Sequence, residues 1–319
     1  MSKTLLTPII VGLLLLGCET PNSDIALSNK TVLLKAQLEL GADGEVMVIA
    51  HRACWRETAE NSISAINACI HMGVDMIEID VRETKDGRLV LIHDESVDRT
   101  TNGAGAVQDL TWNQISRLKL KEFDGGAGAA ITEETVPTLE QALFAASGKI
   151  LINLDIKADL YEKSLRIAEE LGVVDQIVFK MAANADDIAL KQAGFHGKTY
   201  FMPIIRECIA GSPKLCWPIL SETVADFSEF NPIAFEVVYH SDEYLLEGIG
   251  AIGSSGARVW VNTLGARYAA GREDEKAILD PDENWGFLIS HGVNMLQTDR
   301  PRELINYLKT NESKLAASQ

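Results

Sequence analysis

Along this chain, apolar runs alternate with segments that carry an apolar stripe on one side, which predicts strands separated by helices. Residues 46–50 and 76–81 are short, nearly continuous apolar runs, as expected of strands buried on both faces. Between them, 62–72 places Ile63, Ile66 and Ile70 at helical spacing, with Asn61 or Ser62 as the cap. Lys85-Asp86-Gly87-Arg88 is a turn signal, so the chain reverses in a short hairpin and returns along 89–92. From 96 to 136 periodicity weakens and Gly becomes dense, which predicts an insertion lying over a site. Alternation then resumes, with strands at 150–156, 177–180, 199–202, 233–238, 259–262 and 295–298. Helices are predicted at 138–146, 160–171, 186–193, 221–230 and 242–250. Without the hairpin's return arm, that pattern predicts a (β/α)8 TIM barrel with a small insertion after the second strand.

Barrel enzymes build their sites at the C-terminal ends of the strands. The first strand ends in His51-Arg52, and the hairpin's return arm ends in His93-Asp94. The second strand carries Glu78 and Asp80, which share a face because side chains alternate along a strand. Two neighbouring carboxylates repel unless something positive lies between them. On the third strand Asn153, Asp155 and Lys157 share a face. Carboxylate oxygens suit a hard cation, Mg²⁺ or Ca²⁺, and imidazole suits proton transfer near neutral pH. The constellation points to metal-assisted phosphate chemistry.

The ordered run His51-Arg52, Glu60-Asn61-Ser62, Gly73-Val74-Asp75, Glu78-Ile79-Asp80-Val81, Thr84-Lys85-Asp86-Gly87, His93-Asp94 and Arg99-Thr100-Thr101 resembles the glycerophosphodiester phosphodiesterase family. The resemblance implies Glu78, Asp80 and Asp155 as metal ligands, although the family usually has Glu where this chain has Asp155. It implies His51 as general base and His93 as general acid, an order the sequence alone leaves open. Arg52 and Lys157 would hold the phosphate, and Trp260 and Asn262 would line the substrate pocket. In the ending Gln297-Thr298-Asp299-Arg300-Pro301, Asp299 is read as a structural cap. Ala53 and Ala59 stand where the family has Gly and Pro.

The implied activity is hydrolysis of a small-molecule glycerophosphodiester to glycerol 3-phosphate and an alcohol. One rival is a phospholipase acting on intact phosphatidylinositol- or sphingomyelin-type lipids, which needs an apolar rim that the sequence does not show. Another is a surface lipoprotein that binds polyol phosphates without turnover, for which two acid/base histidines would be superfluous.

Composition adds an address. Lys3, the apolar run 5–16 and Leu15-Leu16-Gly17-Cys18 resemble a bacterial lipoprotein signal, with 1–18 as signal peptide and Cys18 as the lipidated residue. Residues 19–44 are then a tether containing a short amphipathic helix at 33–40, and 45–319 are the catalytic domain. This places the protein in the bacterial cell envelope, lipid-anchored on the periplasmic or extracellular face. Cys208 and Cys216 flank a Gly-Ser-Pro loop and suit a local disulfide. Cys54 and Cys69 suit either a second bridge or, as preferred here, a core thiol at Cys69 among Ile66 and Ile70. A net charge of −17 argues against nucleic acid and against lying flat on an anionic membrane, and demands a local cation for any phosphate substrate.

Overall fold

The computed structural model describes residues 30–211 and 215–317. The signal peptide, Cys18 and the start of the tether predicted from the sequence, and the tip of the 208–216 loop, lie outside the described residues. The strands are β1 (Met47–Ala50), β2 (Met76–Glu83), β3 (Leu89–Leu91), β4 (Lys119–Lys121), β5 (Ile131–Thr135), β6 (Leu151–Ile156), β7 (Ile177–Met181), β8 (Tyr200–Arg206), β9 (Ala234–Val238), β10 (Arg258–Asn262) and β11 (Met295–Thr298). β1, β2 and β6 to β11 form a parallel barrel, which closes because β1 pairs with both β2 and β11. β3 turns back antiparallel on β2, as the Lys85–Arg88 turn requires.

Helices pack outside the ring as the apolar stripes dictate. In the helix Ile63–Met72, Ser62 accepts from the Ala65 N–H at 3.0 Å, and Gly73 ends it at φ 89°. Ala65, Ile66, Cys69 and Ile70 face the core. The strand expected to stop at Met202 continues through Pro203 to Arg206. Pro203 is the last residue opposite β7 and Ile204 the first opposite β9, so the residue without an N–H falls where the strand changes partner. Of the helix expected over 186–193, only Ile188–Lys191 is α-helical.

Residues two apart along each barrel strand stack in layers inside the ring. The bottom layer is apolar: Met47, Ile49, Met76, Leu151, Val178, Met202, Trp260 and Met295. The helix Lys30–Glu39 closes this floor with Leu34 and Leu38. Buried Arg258 donates to the carbonyls of Leu38, Glu45 and Asn294 at 3.0, 2.9 and 3.1 Å, tying the helix to the barrel. Residues 30–39, assigned to the tether from sequence, therefore pack as part of the domain. One step up, on every barrel strand except β8, where Ile204 stands, the interior turns polar, because these positions open to the mouth.

The insertion between β3 and β6 has its own small core of Val90, Ile92, Val97, Val107, Ile115, Leu120 and Val136. It meets the loop after β1 at Ala59, and the Glu60 N–H donates to the Phe123 carbonyl at 2.8 Å. Gly125, at φ +75°, lets this loop pass over the Arg99 backbone, since a Cβ there would lie 2.3 Å from the Arg99 oxygen.

Candidate active site

Above the apolar floor lies a cavity of about 860 Å³, lined by residues from all sides of the ring. From Met76, the next inward positions on β2 are Glu78 and Asp80, and from Leu151 those on β6 are Asn153 and Asp155. β2 and β6 pair with Asp80 directly opposite Asp155. Glu78, Asp80 and Asp155 consequently bring ligand oxygens within 4.8 Å of one another. Three converging carboxylates fit a hard divalent cation. The shorter Asp155 still brings an oxygen within 4.8 Å of the other two, so its missing methylene does not remove it from the site.

Lysines thread this acidic group. Lys157 Nζ lies 2.7 Å from Asp80 and 2.8 Å from Asp155. Lys180, only 5% exposed, lies 3.5 Å from Glu78, 3.3 Å from Asp155 and 3.7 Å from Glu236. The carboxylates respond differently. Burial and the neighbouring Asp80 charge raise the pKa of Glu78. Burial pushes Asp80 the same way, but Lys157, His93 and Arg52 outweigh it and lower its pKa. For Asp155, burial is outweighed by Lys180 and Lys157. A bound cation would complete the neutralisation that Glu78 lacks.

The loop after β1 brings the next groups. Arg52 and Ala53 sit in left-handed backbone, φ 50° and 60°. This lets the Arg52 N–H donate to Glu78 Oε2 at 3.0 Å and the Ala53 N–H to the Glu78 carbonyl at 3.0 Å. The Arg52 guanidinium lies 2.9 Å from Glu60 and 3.7 Å from Asp80. Asn61 grips Asp80 from both ends, accepting from its N–H at 3.1 Å and donating to its Oδ2 at 2.8 Å. Cys54 and Cys69 form a disulfide that fastens this loop to the helix behind it, correcting the core-thiol reading; Cys208 and Cys216 are also bridged.

Both histidines on the wall are held by carboxylates through Nδ1, His51 by Asp299 and His93 by Asp94, each at 2.8 Å. An ionised carboxylate only accepts, so Nδ1 carries the proton and each Nε2 is left for chemistry. Burial lowers the His51 pKa, but the Asp299 hydrogen bond and the charges of Glu78 and Asp299 reverse the shift. His93 is lowered by burial, only partly offset by Asp80. Asp299 also accepts from Trp55 Nε1 at 2.7 Å, and Asp274 accepts from the Asp299 N–H at 2.7 Å. Asp299 is thus a partner of His51, a role the cap reading missed.

Asn262 lines the cavity, whereas Trp260 is fully buried in the apolar floor one layer below and donates from Nε1 to Asn262 Oδ1 at 2.7 Å. Trp260 supports the wall rather than forming it, because position 260 is inward-facing but too deep. The sequence offers Lys180 at a later strand without assigning it a role, and it assigns none to Asp94, Arg99 or Gln297. Asp94 and Arg99 stand inside the motif run; Lys180 and Gln297 are marked only by register.

Fold and site together define a barrel enzyme whose cavity sets two carboxylate-held histidines beside a cluster of three carboxylates. Residues 51–199 match the glycerophosphoryl diester phosphodiesterase family, and 201–308 match a family described as a domain of unknown function. A glycerophosphodiester phosphodiesterase of Caldanaerobacter subterraneus is 28% identical over 83% of this chain and 98% of its own. One from Bacillus altitudinis is 38% identical over 41% of this chain and 56% of its own. Among solved structures, a glycerophosphoryl diester phosphodiesterase from Parabacteroides distasonis superposes with TM-score 0.69 at 23% identity, covering 88% of this chain and 92% of its own. A phosphodiesterase from Oleispira antarctica, in complex with the product sn-glycerol-3-phosphate, superposes with TM-score 0.58 at 17% identity, covering 82% of this chain and 96% of its own. Residues 51–199 belong to the glycerophosphodiester phosphodiesterase family, and the chain is a phosphoric diester hydrolase.

Proposed function

We propose that this protein hydrolyses glycerophosphodiesters to glycerol 3-phosphate and an alcohol in a reaction that depends on a divalent cation. The observation that carries the reading is the convergence of His51, His93 and the Glu78–Asp80–Asp155 cluster on one cavity. A cation held by the three carboxylates would supply charge neutralisation on the non-bridging phosphate oxygens. Arg52 and Lys157, already fixed among those carboxylates, add positive charge to the same place. His51, with Nδ1 locked by half-buried Asp299, presents Nε2 as general base and takes the proton of the attacking oxygen. His93, held by Asp94 and more open to solvent, gives its proton to the alcohol that leaves as the P–O bond breaks. Among the described residues, Glu236 Oε2, 3.7 Å from the Lys180 ammonium, and Gln297 Oε1 are buried on the cavity wall without a hydrogen-bond donor. They suit glycerol hydroxyls, which donate hydrogen bonds. That the Oleispira antarctica phosphodiesterase binds sn-glycerol-3-phosphate supports this choice of product.

The test is release of glycerol 3-phosphate from a panel of glycerophosphodiesters, before and after chelation and with Mg²⁺ or Ca²⁺ restored. Release that chelator abolishes, that a cation restores and that His93→Ala slows by roughly 10²- to 10⁴-fold supports the reading. Chelator-resistant release, or none from a folded, cation-loaded protein, refutes it. From the Leu15-Leu16-Gly17-Cys18 run we also infer a lipid anchor on Cys18 and residence on the outer side of a bacterial membrane. Metabolic labelling with a radioactive fatty acid, lost on Cys18→Ser, tests this.

A further inference from the structure

The cations around the cavity fall into two groups. Those on the first four strands of the ring, and on the loop after the first, are all paired: Arg52 with Glu60 and Asp80, Lys157 with Asp80 and Asp155, and Lys180 with Glu78, Asp155 and Glu236. On the other side of the ring are two more cavity-lining cations, Arg206 and Arg267. Among the described residues neither makes an ion pair, and the Arg206 guanidinium makes no hydrogen bond. In a chain of net charge −17, two arginines without a counter-charge on the wall of one cavity need a reason.

Their placement follows from the fold. Arg206 lies two residues beyond Ile204, so it faces inward on β8 directly above a wall residue. β8 is the fifth strand of the ring, across the mouth from β1 and one strand beyond the β2, β6 and β7 side that carries the carboxylates and Lys180. Its backbone is fixed: the Trp217 N–H donates to the Arg206 carbonyl at 2.8 Å, and the Cys208–Cys216 disulfide staples the loop that starts just after it. Arg267 sits on the loop after β10, stacked over Tyr268 at 4.7 Å from the ring centre and donating to its hydroxyl at 2.5 Å. That loop is held in turn, since the Tyr239 N–H donates to the Tyr268 carbonyl at 3.1 Å. Both charges are therefore presented on fixed backbone, with apolar Ile204 and Leu264 also on the wall.

The geometry points to a second anion subsite formed by Arg206 and Arg267, across the mouth from the Glu78–Asp80–Asp155 cluster, which selects glycerophosphodiesters whose alcohol carries a further phosphate. The inference rests on the phosphodiesterase reading and specifies its substrate class. The scissile phosphate lies at the carboxylate cluster and the second phosphate receives the two guanidiniums, whose planar donor forks match its oxygens. A diester bearing a neutral alcohol leaves both arginines unused.

The test compares kcat/KM of the full-chain, Mg²⁺- or Ca²⁺-loaded protein for glycerophosphoglycerol and for the same diester phosphorylated on its terminal glycerol. The phosphorylated diester is expected to be favoured by about tenfold or more at low salt, the scale of one added charged hydrogen bond. The ratio of the two kcat/KM values should collapse towards one in Arg206→Gln and fall in Arg267→Gln, with Arg206→Lys retaining part of it. Because Arg267 is on an exposed loop, its variant keeps the test alive should Arg206→Gln misfold. Turnover of both diesters with equal kcat/KM in the unaltered protein, or an unchanged ratio in both Gln variants, overturns the subsite alone. Turnover of neither overturns the phosphodiesterase reading together with the subsite.

Discussion

Glu60 holds Arg52 and Arg99 on one buried carboxylate, accepting from Arg52 Nη1 at 2.9 Å and from Arg99 Nη1 and Nη2 at 2.8 Å each. Arg99 continues to Asp94 through Nε at 2.7 Å and Nη2 at 2.9 Å, and Asp94 fixes His93. Arg52 and His93, which come from different segments, are thereby set against each other. Glu60→Gln keeps the shape but removes the charge that two guanidiniums share. It should lower kcat by roughly 10- to 100-fold, the scale of a lost partner behind a site residue. Arg52 and His93 are both affected, so KM should rise and the His93 limb of the pH–rate profile should shift. A folded variant with unaltered kcat and pH profile would reduce Glu60 to packing.

Cation binding should be visible without turnover. Glu78, Asp80 and Asp155 are crowded and Glu78 is raised towards its neutral form, so a divalent ion relieves repulsion in the folded state only. Saturating Mg²⁺ or Ca²⁺, at about 100 times Kd, should stabilise the fold by about 2.7 kcal/mol. Differential scanning fluorimetry should show the rise in Tm, and Asp80→Asn should abolish it. An equal rise in that variant would place the cation elsewhere.

Asp75 predicts a pH-dependent loss of stability. It accepts from the Val48 N–H at 2.8 Å below the site, and burial raises its pKa to about 6 from the usual carboxylate range. Between about pH 4 and 6 the folded chain therefore holds more proton at Asp75 than the unfolded chain does, so its contribution falls as pH rises through that window. Two pKa units, discounted for partial exposure, put the loss at about 2 kcal/mol. Asp75→Asn keeps an acceptor for Val48 and should stabilise the protein by that amount at pH 7 and little at pH 4. Denaturant melts at the two pH values measure this.

Ala53 occupies φ 60° in a buried loop beside Arg52. A side chain in left-handed backbone costs roughly 1–2 kcal/mol, which Gly avoids at the expense of a more flexible unfolded chain. Ala53→Gly should therefore raise stability by up to about 1 kcal/mol without reducing turnover, read from the urea midpoint and kcat.

The Cys54–Cys69 bridge encloses a loop with sequence separation 15 that contains Glu60 and Asn61. Loop-closure entropy puts its contribution at about 3 kcal/mol. Cys54→Ser/Cys69→Ser should lower Tm accordingly and, by loosening the loop that carries Arg52, raise KM more than it lowers kcat.

The amino-acid pattern alone encodes the barrel and places polar groups at its first strand ends. Buried parallel strands must be apolar runs, helices on the outside must be striped, and two-residue alternation places Glu78 with Asp80. His51 and His93 were legible for the same reason, being polar groups that end apolar runs. What lay in register between strands was not legible. Depth along the barrel put Trp260 in the floor and Asn262 on the wall, although both face inward on β10. Closure of the ring brought Asp299, nearly 250 residues away, onto His51. Lys180 met Glu78, and Arg99 met Glu60, through contacts whose energy depends on distances of a few ångströms that one-dimensional spacing does not encode. Local patterns record which way a side chain points; only the closed barrel decides what it meets there.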